Sequence, residues 1–164
     1  GVRAEGRIGR VGVFVDAADA VIAEAVAAAR LDAIQLHGSE TPQRAAELRA
    51  ALGLPVWRVI GIAKAEDIAK AAAYVGAADF ILFDAKTPKG TLPGGMGLAF
   101  DWNLLAGLKM ALPWGLAGGL NAANVAEAAR VTRAPLVDAA SGIESAPGVK
   151  DPALIAAFCA AARS

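Results

Sequence analysis

The sequence predicts an α/β fold built on a parallel sheet, and three observations carry that reading. Short β-branched or aromatic runs alternate with alanine-rich helical stretches along the 164 residues. No tight hairpin signal joins one strand to the next, so each strand reaches its neighbour through a crossover helix, the connection that parallel pairing needs. The composition is 56% hydrophobic and only 20% charged. A chain that apolar suits strands covered on both faces, as parallel sheets are.

The elements follow in order. Val11-Gly12-Val13-Phe14-Val15 reads as the first strand. Asp16 and Asp19 offer N-caps for an alanine-rich helix from Ala20 to Arg30. Ala33-Ile34-Gln35-Leu36-His37 is the second strand, and Ser39-Glu40-Thr41-Pro42 opens a helix with Pro42 near its first turn. That helix runs to about Ala51 and stops at Gly53 and Pro55. Val56 to Ile60 is the third strand, followed by a helix over about Ala65 to Val75. Phe80 to Phe83 is the fourth strand, and Asp101 to Met110 the helix after it. Trp114 to Ala117 is the fifth strand, ending in Gly118-Gly119, with a helix capped by Asn121 running through Val131. Leu136 to Ala140 is the sixth strand, ending in Ser141-Gly142, and Asp151-Pro152 opens a last helix to about Arg163.

Six βα units in one 164-residue domain fit a doubly wound open sheet or a (β/α)8 barrel. No G-x-G-x-x-G follows the first strand, which weakens a dinucleotide-binding reading. Polar or small residues finish most strands: Asp16, His37-Gly38, Asp84, Gly118-Gly119 and Ser141-Gly142. Functional groups spread over many strand ends are the mark of a barrel.

Composition excludes several classes. Sixteen basic and sixteen acidic residues cancel, and no basic stripe points to nucleic acid. No run approaches the roughly 18 uninterrupted apolar residues of a membrane span. The polar start, Gly1 to Arg7, is not a signal peptide. A lone Cys159 rules out an internal disulfide and fits a reducing cytoplasm. One His and one Cys make a Cys/His zinc site implausible.

The most informative stretch is FDAKTPKGTLPGGMGLAFDW, residues 83 to 102. An apolar strand delivers Asp84 to its carboxyl end, and a loop with Lys86 and Lys89 closes on Gly94-Gly95-Met96-Gly97. The two later glycine turns follow the last two strands, where barrels commonly hold a phosphate on loop amides.

With VGVFVD (11–16), LDAIQLHGSE (31–40), LAGGLNAANVAEA (116–128) and VDAASGIESAPGVKD (137–151), that stretch resembles the phosphoribosylanthranilate isomerase family of tryptophan biosynthesis. The pieces stand in family order and at family spacing from Val11 to the C-terminus. The resemblance implies a (β/α)8 barrel and an Amadori rearrangement of N-(5-phosphoribosyl)anthranilate. A general acid opens the furanose ring, and a general base then takes the C2 proton. It implies no cofactor and no metal, a small phosphosugar as partner, a cytoplasmic enzyme, and a monomer or homodimer.

Asp84 matches the family's general acid; its structural alternative is a loop-stabilising cap. Gly118, Gly119, Ser141 and Gly142 match the phosphate cradle, where glycine permits close backbone approach. Tight left-handed turns are the alternative there, and the two roles can coexist. Asp138 resembles a position near the ribose hydroxyls, against a solvent-hidden structural Asp. Gln35 and His37 alternate with Ile34 and Leu36 and so share one face; substrate contact and structural hydrogen bonding are both open. Arg58 stands between apolar neighbours, as a mouth residue or as a structural ion pair. Trp57, Trp102 and Trp114 read as packing.

The sequence departs from the family at its start. The family opens with a strand carrying Lys-Ile-Cys-Gly, whose Cys is the base, then a helix and a second strand bearing an Arg for the anthranilate carboxylate. Neither unit precedes Val11, so the barrel is expected to be incomplete, with open edges at the strands of Val11 and Leu136. Cys159, among Phe158 and alanines, reads as packing. Three explanations stand: an N-terminal segment beyond these residues, a truncated form, or a natural fragment closing by dimerisation. The intact motifs favour the first. Met96 stands where a small or polar residue is commoner. The rivals to an isomerase are a non-catalytic phosphate-binding remnant and another phosphosugar barrel enzyme. A metal-dependent epimerase would want more than the single His37.

Overall fold

The computed structural model describes residues 8–85 and 101–164. Its main sheet has five strands in the order β1 (Val11–Phe14), β2 (Ala33–Leu36), β3 (Val56–Ile62), β4 (Phe80–Ala85) and β5 (Trp114–Ala117). β1 pairs parallel with β2, Val11 opposite Ala33, and β2 pairs parallel with β3, Ile34 opposite Val56. The sequential order is that of a chain in which each crossover helix delivers the next strand beside the last. Contacts group the chain into two compact units, the first comprising Gly1–Ile60 and Ala69–Ile81, the second Gly61–Ile68 and Leu82–Ser164.

In the first unit, β2 is buried at all four positions, the polar Gln35 included, as a strand covered on both faces is. β1 is different. Phe14 is buried, but Val13 is 57% exposed, so one face of this strand lies uncovered. Helix α1 (Asp19–Ala29) places Ile22 in the core. Its N-cap is Ala18, with no side-chain cap, in place of the expected Asp16 or Asp19. Asp19 instead sits in the first turn, where the helix dipole favours a negative charge, and pairs with Arg44. Hydrogen bonding from that guanidinium holds the Asp19 carboxyl below its usual range. Helix α2 (Pro42–Leu52) starts as expected. Thr41 accepts from the Arg44 N–H at 3.1 Å, Pro42 stands at the start, and Gly53 ends the helix at φ 62°. Trp57 packs on Phe80 with ring centroids 4.6 Å apart, a pair worth about 0.5–1.5 kcal/mol beyond its burial. Only one turn of α-helix, α3 (Ala65–Ile68), opens the third crossover, and Ala69–Tyr74 continues as a 3₁₀ helix.

In the second unit, Phe83, Leu105, Leu116, Leu120, Val125 and Ala128 are buried. Phe83 meets Trp114 edge-on at 5.9 Å. Three expectations are corrected here. The helix expected over Asp101 to Met110 is a single 3₁₀ turn, Trp102–Leu105. Ala106 is extended and Gly107 takes φ 71°, which breaks the helical path. The expected sixth strand contributes one parallel bridge, Leu116 to Val137, with Asp138 N–H donating to Leu116 C=O at 2.8 Å. Beyond it lies an antiparallel ribbon not expected from the sequence, β6 (Glu144–Ala146) against β7 (Val149–Lys150), turning at Pro147-Gly148 with Gly148 at φ 79°. Helix α4 (Val125–Thr132) begins later than Asn121, and α5 (Pro152–Ala161) starts where expected, with Asp151 accepting from Ala153 and Leu154 N–H groups. Among the described residues no helix is long and apolar enough to cross a membrane.

Candidate active site

β2 and the turn after it carry two of the sequence-derived candidates. Gln35 is buried within β2, and His37 follows the strand, exposed. The backbone on both sides of His37 is fastened. Its own N–H donates to Phe14 C=O at 2.8 Å. Leu36 C=O accepts from Arg58 Nη1 at 2.9 Å, and Gly38 C=O accepts from Arg58 Nη2 at 2.9 Å. Gly38 N–H donates to Glu40 Oε2 at 2.9 Å. Glu40 Oε1 accepts from Asp16 N–H at 2.8 Å, tying the turn after β1 to the same carboxylate. Asp16, at φ 49°, accepts from both the Ser39 N–H and hydroxyl at 2.8 Å.

Arg58 and Glu40 form a buried ion pair, Nη1 to Oε2 at 3.0 Å, with side chains only 11% and 4% exposed. Two charges this buried are tolerated because they pair with each other and bond to backbone, Arg58 through both terminal nitrogens and Glu40 through both oxygens, although Arg58 Nε is buried with no partner. Tyr74 completes the arrangement: its hydroxyl donates to Glu40 C=O at 2.7 Å, and its ring lies 5.3 Å from the Arg58 guanidinium carbon. Of the two roles open for Arg58, the structure displays the ion pair. Sequence reading treated Glu40 only as part of a helix start and left Tyr74 unassigned. An acid three to four residues past a strand, with an Arg inside the next apolar strand, was the available signal.

A separate cleft of about 550 Å³ in this unit is lined by Arg49, Gly53, Leu54, Pro55, Gly76 and Asp79. It lies at the amino ends of β3 and β4 and holds none of the candidates. Its ion pair, Arg49 to Asp79 at 2.8 Å, and the Val56 N–H to Asp79 bond at 2.9 Å serve the strand starts.

The second unit holds the remaining candidates. Asp84 is half-buried near the carboxyl end of β4, one residue past the buried Phe83. The glycine-rich stretch that follows, with Lys86, Lys89 and Met96, lies outside the described residues. Gly118 and Gly119 follow β5 with φ 92° and 64°, a left-handed pair that glycine adopts without a Cβ clash. Ser141 and Gly142 open a 3₁₀ turn, Ser141–Ile143. A Cβ on Gly142 would run into the Leu120 carbonyl oxygen, so this turn lies directly against the backbone that follows Gly119. The structure therefore brings together the two glycine turns read from the sequence. Asp138 is exposed beside them in the chain, not solvent-hidden.

Two flanking groups escaped the sequence reading. Asn124, not Asn121, organises the first turn: its amide donates to Gly119 C=O at 3.0 Å and its oxygen accepts from Asn121 N–H at 2.9 Å. Lys150 Nζ donates to Ala140 C=O at 2.8 Å and to Glu144 Oε1 at 2.7 Å, bracing the peptide just before Ser141. That hydrogen bond, helped by Gly148 N–H, holds the Glu144 carboxyl below its usual range. Among the described residues no group of three or more His, Cys, Asp or Glu side chains converges as metal ligands would.

A parallel α/β sheet with an acid and two glycine turns at the carboxyl ends of its strands defines a class, an α/β enzyme whose chemistry sits on its βα loops. Residues 1–161 match the family described as N-(5'phosphoribosyl)anthranilate (PRA) isomerase, and the chain belongs to that family. An N-(5'-phosphoribosyl)anthranilate isomerase of Mesorhizobium japonicum is 52% identical over 162 residues, 98% of this chain and 74% of that protein. The crystal structure of phosphoribosyl anthranilate isomerase from Thermotoga maritima superposes with a TM-score of 0.82 at 35% identity, over 95% of this chain and 73% of that one. A crystal structure of the isomerase in complex with reduced 1-(O-carboxyphenylamino)-1-deoxyribulose 5-phosphate superposes with a TM-score of 0.75 at 30% identity, over 95% of this chain and 72% of that chain.

Proposed function

We infer that this chain is an isomerase of tryptophan biosynthesis. It converts N-(5'-phosphoribosyl)anthranilate to 1-(2-carboxyphenylamino)-1-deoxyribulose 5-phosphate. The observation that carries this is the family match over residues 1–161, supported by a relative more than half identical. The five parallel strands, with the Leu136–Ala140 segment as a sixth, are read as six βα units of one (β/α)8 barrel domain. The protein works in the cytoplasm as a monomer or homodimer on a small phosphosugar.

In this reading Asp84 is the general acid. Its carboxyl protonates the furanose ring oxygen, the C1–O bond breaks, and the anthranilate nitrogen forms an imine with C1. That imine is the electron sink for loss of the C2 proton to a general base, so the reaction needs no cofactor. The enol that results becomes the aminoketose. Gly118, Gly119, Ser141 and Gly142 bind the phosphate through backbone amides, and Asp138 meets the ribose hydroxyls. Phosphate held by backbone keeps the sugar in register with the acid without a side chain that could move. Gln35 contacts the substrate from the end of β2 and His37 from the turn after it. Arg58, committed to Glu40, supports that turn.

Asp84→Asn tests the acid directly. The amide keeps size and polarity but has no acidic proton. Turnover should fall by about 10² to 10⁴, while affinity for reduced 1-(O-carboxyphenylamino)-1-deoxyribulose 5-phosphate stays within a few-fold. Turnover close to wild type removes Asp84 from the mechanism.

A further inference from the structure

We propose that Glu40 is a positioning residue: through Arg58 it fixes the peptides on either side of His37 and so aims the imidazole at the substrate. The proposal rests on His37 contacting the substrate, as inferred above.

The turn over Leu36 to Glu40 is fastened beyond what a strand-to-helix connection needs. Connections of this kind usually run over the surface with their polar groups in water. Here the Leu36 carbonyl, the His37 N–H, the Gly38 N–H, the Gly38 carbonyl, the Ser39 N–H and the Glu40 carbonyl all have protein partners. Three of these bonds come from the Arg58–Glu40 pair, which lies behind the turn with both side chains almost wholly out of water. The residue in the middle of the fastened stretch is exposed, and it is the only histidine of the chain.

The chemistry of the pair explains why side chains of this type are used. The Arg58 guanidinium is a planar fork, and it spans two carbonyls two residues apart, those of Leu36 and Gly38. The Glu40 carboxylate accepts from the Gly38 N–H with the same oxygen that meets Arg58, and from the Asp16 N–H with the other. Moving His37 means breaking bonds to a buried charge. A hydrophobic pair of similar volume would hold the fold as well, or better, but would leave these peptide groups unheld. Gly38 has a place in this too. A Cβ there would stand 2.7 Å from the Asp16 carboxylate, so a larger residue would push that carboxylate away from its bonds to Ser39.

The experiment is a double-mutant cycle between Glu40→Gln and His37→Ala, read as affinity for reduced 1-(O-carboxyphenylamino)-1-deoxyribulose 5-phosphate. The imidazole NMR signals of His37, the sole histidine, are followed in the two proteins that retain it. Glu40→Gln should weaken binding about tenfold, the worth of one misaimed hydrogen bond, and should displace or split the His37 signals. The double variant should bind no more weakly than His37→Ala alone, because positioning has no effect once the positioned group is gone. A general loss of structure would instead add to the His37→Ala effect, and additive losses overturn the proposal. So does unchanged affinity in Glu40→Gln when His37→Ala is impaired. If His37→Ala itself binds like wild type, the substrate-contact reading has failed and the proposal falls with it, a distinguishable result. Should Glu40→Gln not fold, Arg58→Lys replaces it. It keeps the charge but cannot span both carbonyls, and the same non-additivity is expected.

Discussion

Two strand-end turns in this molecule are held in opposite ways. The turn after β2, which carries His37, is fastened by charged side chains: Arg58 and Glu40 reach its peptide groups from a buried ion pair. The turn at Ser141-Gly142 is fastened by the lack of side chains. Glycine lets it lie on the Leu120 carbonyl, and the neighbouring Gly118-Gly119 pair bends through left-handed backbone. In the function proposed above, the first arrangement would keep a side chain aimed, and the second would clear space for backbone to meet the phosphate. The difference teaches which substitutions each region tolerates: loss of charge should ruin the first, and gain of a single methyl the second.

The largest effect is expected at Arg58. Arg58→Met keeps much of the volume but leaves the Glu40 carboxylate buried without its partner. Breaking a buried pair from one side typically costs about 3–5 kcal/mol, and urea unfolding should show a loss of that order. Converting Glu40 to Leu in the same protein should recover much of it, since no lone charge remains. If Arg58→Met alone costs under about 1 kcal/mol, the value of an exposed pair, the turn is not held by charge and the contrast collapses.

Gly142→Ala probes the other region. The new methyl meets backbone oxygen, which has no rotamer to yield, and overpacking of this kind costs about 1–3 kcal/mol. Gly119→Ala meets no atom within 4 Å, yet φ 64° still charges a non-glycine residue about 1–2 kcal/mol. Calorimetric titration with the reduced product analogue should therefore show the deeper loss for Gly142→Ala. Equal and negligible losses would mean that these glycines are simple turns.

The sequence carried the fold where one physical rule acted alone. The mostly apolar runs at Ala33–Leu36 and Trp114–Ala117 became buried parallel strands, and Thr41-Pro42 and Asp151-Pro152 became helix starts as expected, capped by Thr41 and Asp151. Reading failed where rules competed. Asp101 to Met110 has helix formers, but Gly107 in the left-handed region limits it to one 3₁₀ turn. Asp16 looked like an N-cap, but a long-range partner, Ser39, claims its carboxylate. The site divides along the same line. Glycine turns were legible as turns because their backbone meaning is local. Glu40 was not, because its role depends on Arg58 and Asp16, eighteen residues ahead and twenty-four behind in the chain.

The smallest expected effect sharpens the comparison at its one exception. Beside the glycine turns a charged pair does appear: Lys150 bridges the Ala140 carbonyl and the Glu144 carboxylate. Hydrogen bonding from Lys150, then from the Gly148 N–H, holds the Glu144 carboxyl below its usual value of 4.5. The folded-state value is lowered, so the stabilisation is fully present above the unfolded-state value and is lost as pH falls through the folded one. Between pH 7 and 5 the pair should make no difference to the pH dependence of stability. Below about 4.5, wild type should lose stability more steeply than Glu144→Gln, which has no carboxyl to protonate. The difference should shrink in high salt, because this pair is far more accessible to ions than Arg58–Glu40. Thermal melts of both proteins from pH 3 to 7, at low and high salt, read it out. Parallel curves would show that Lys150 braces the turn through the Ala140 carbonyl alone, and the second region would then be held by backbone throughout.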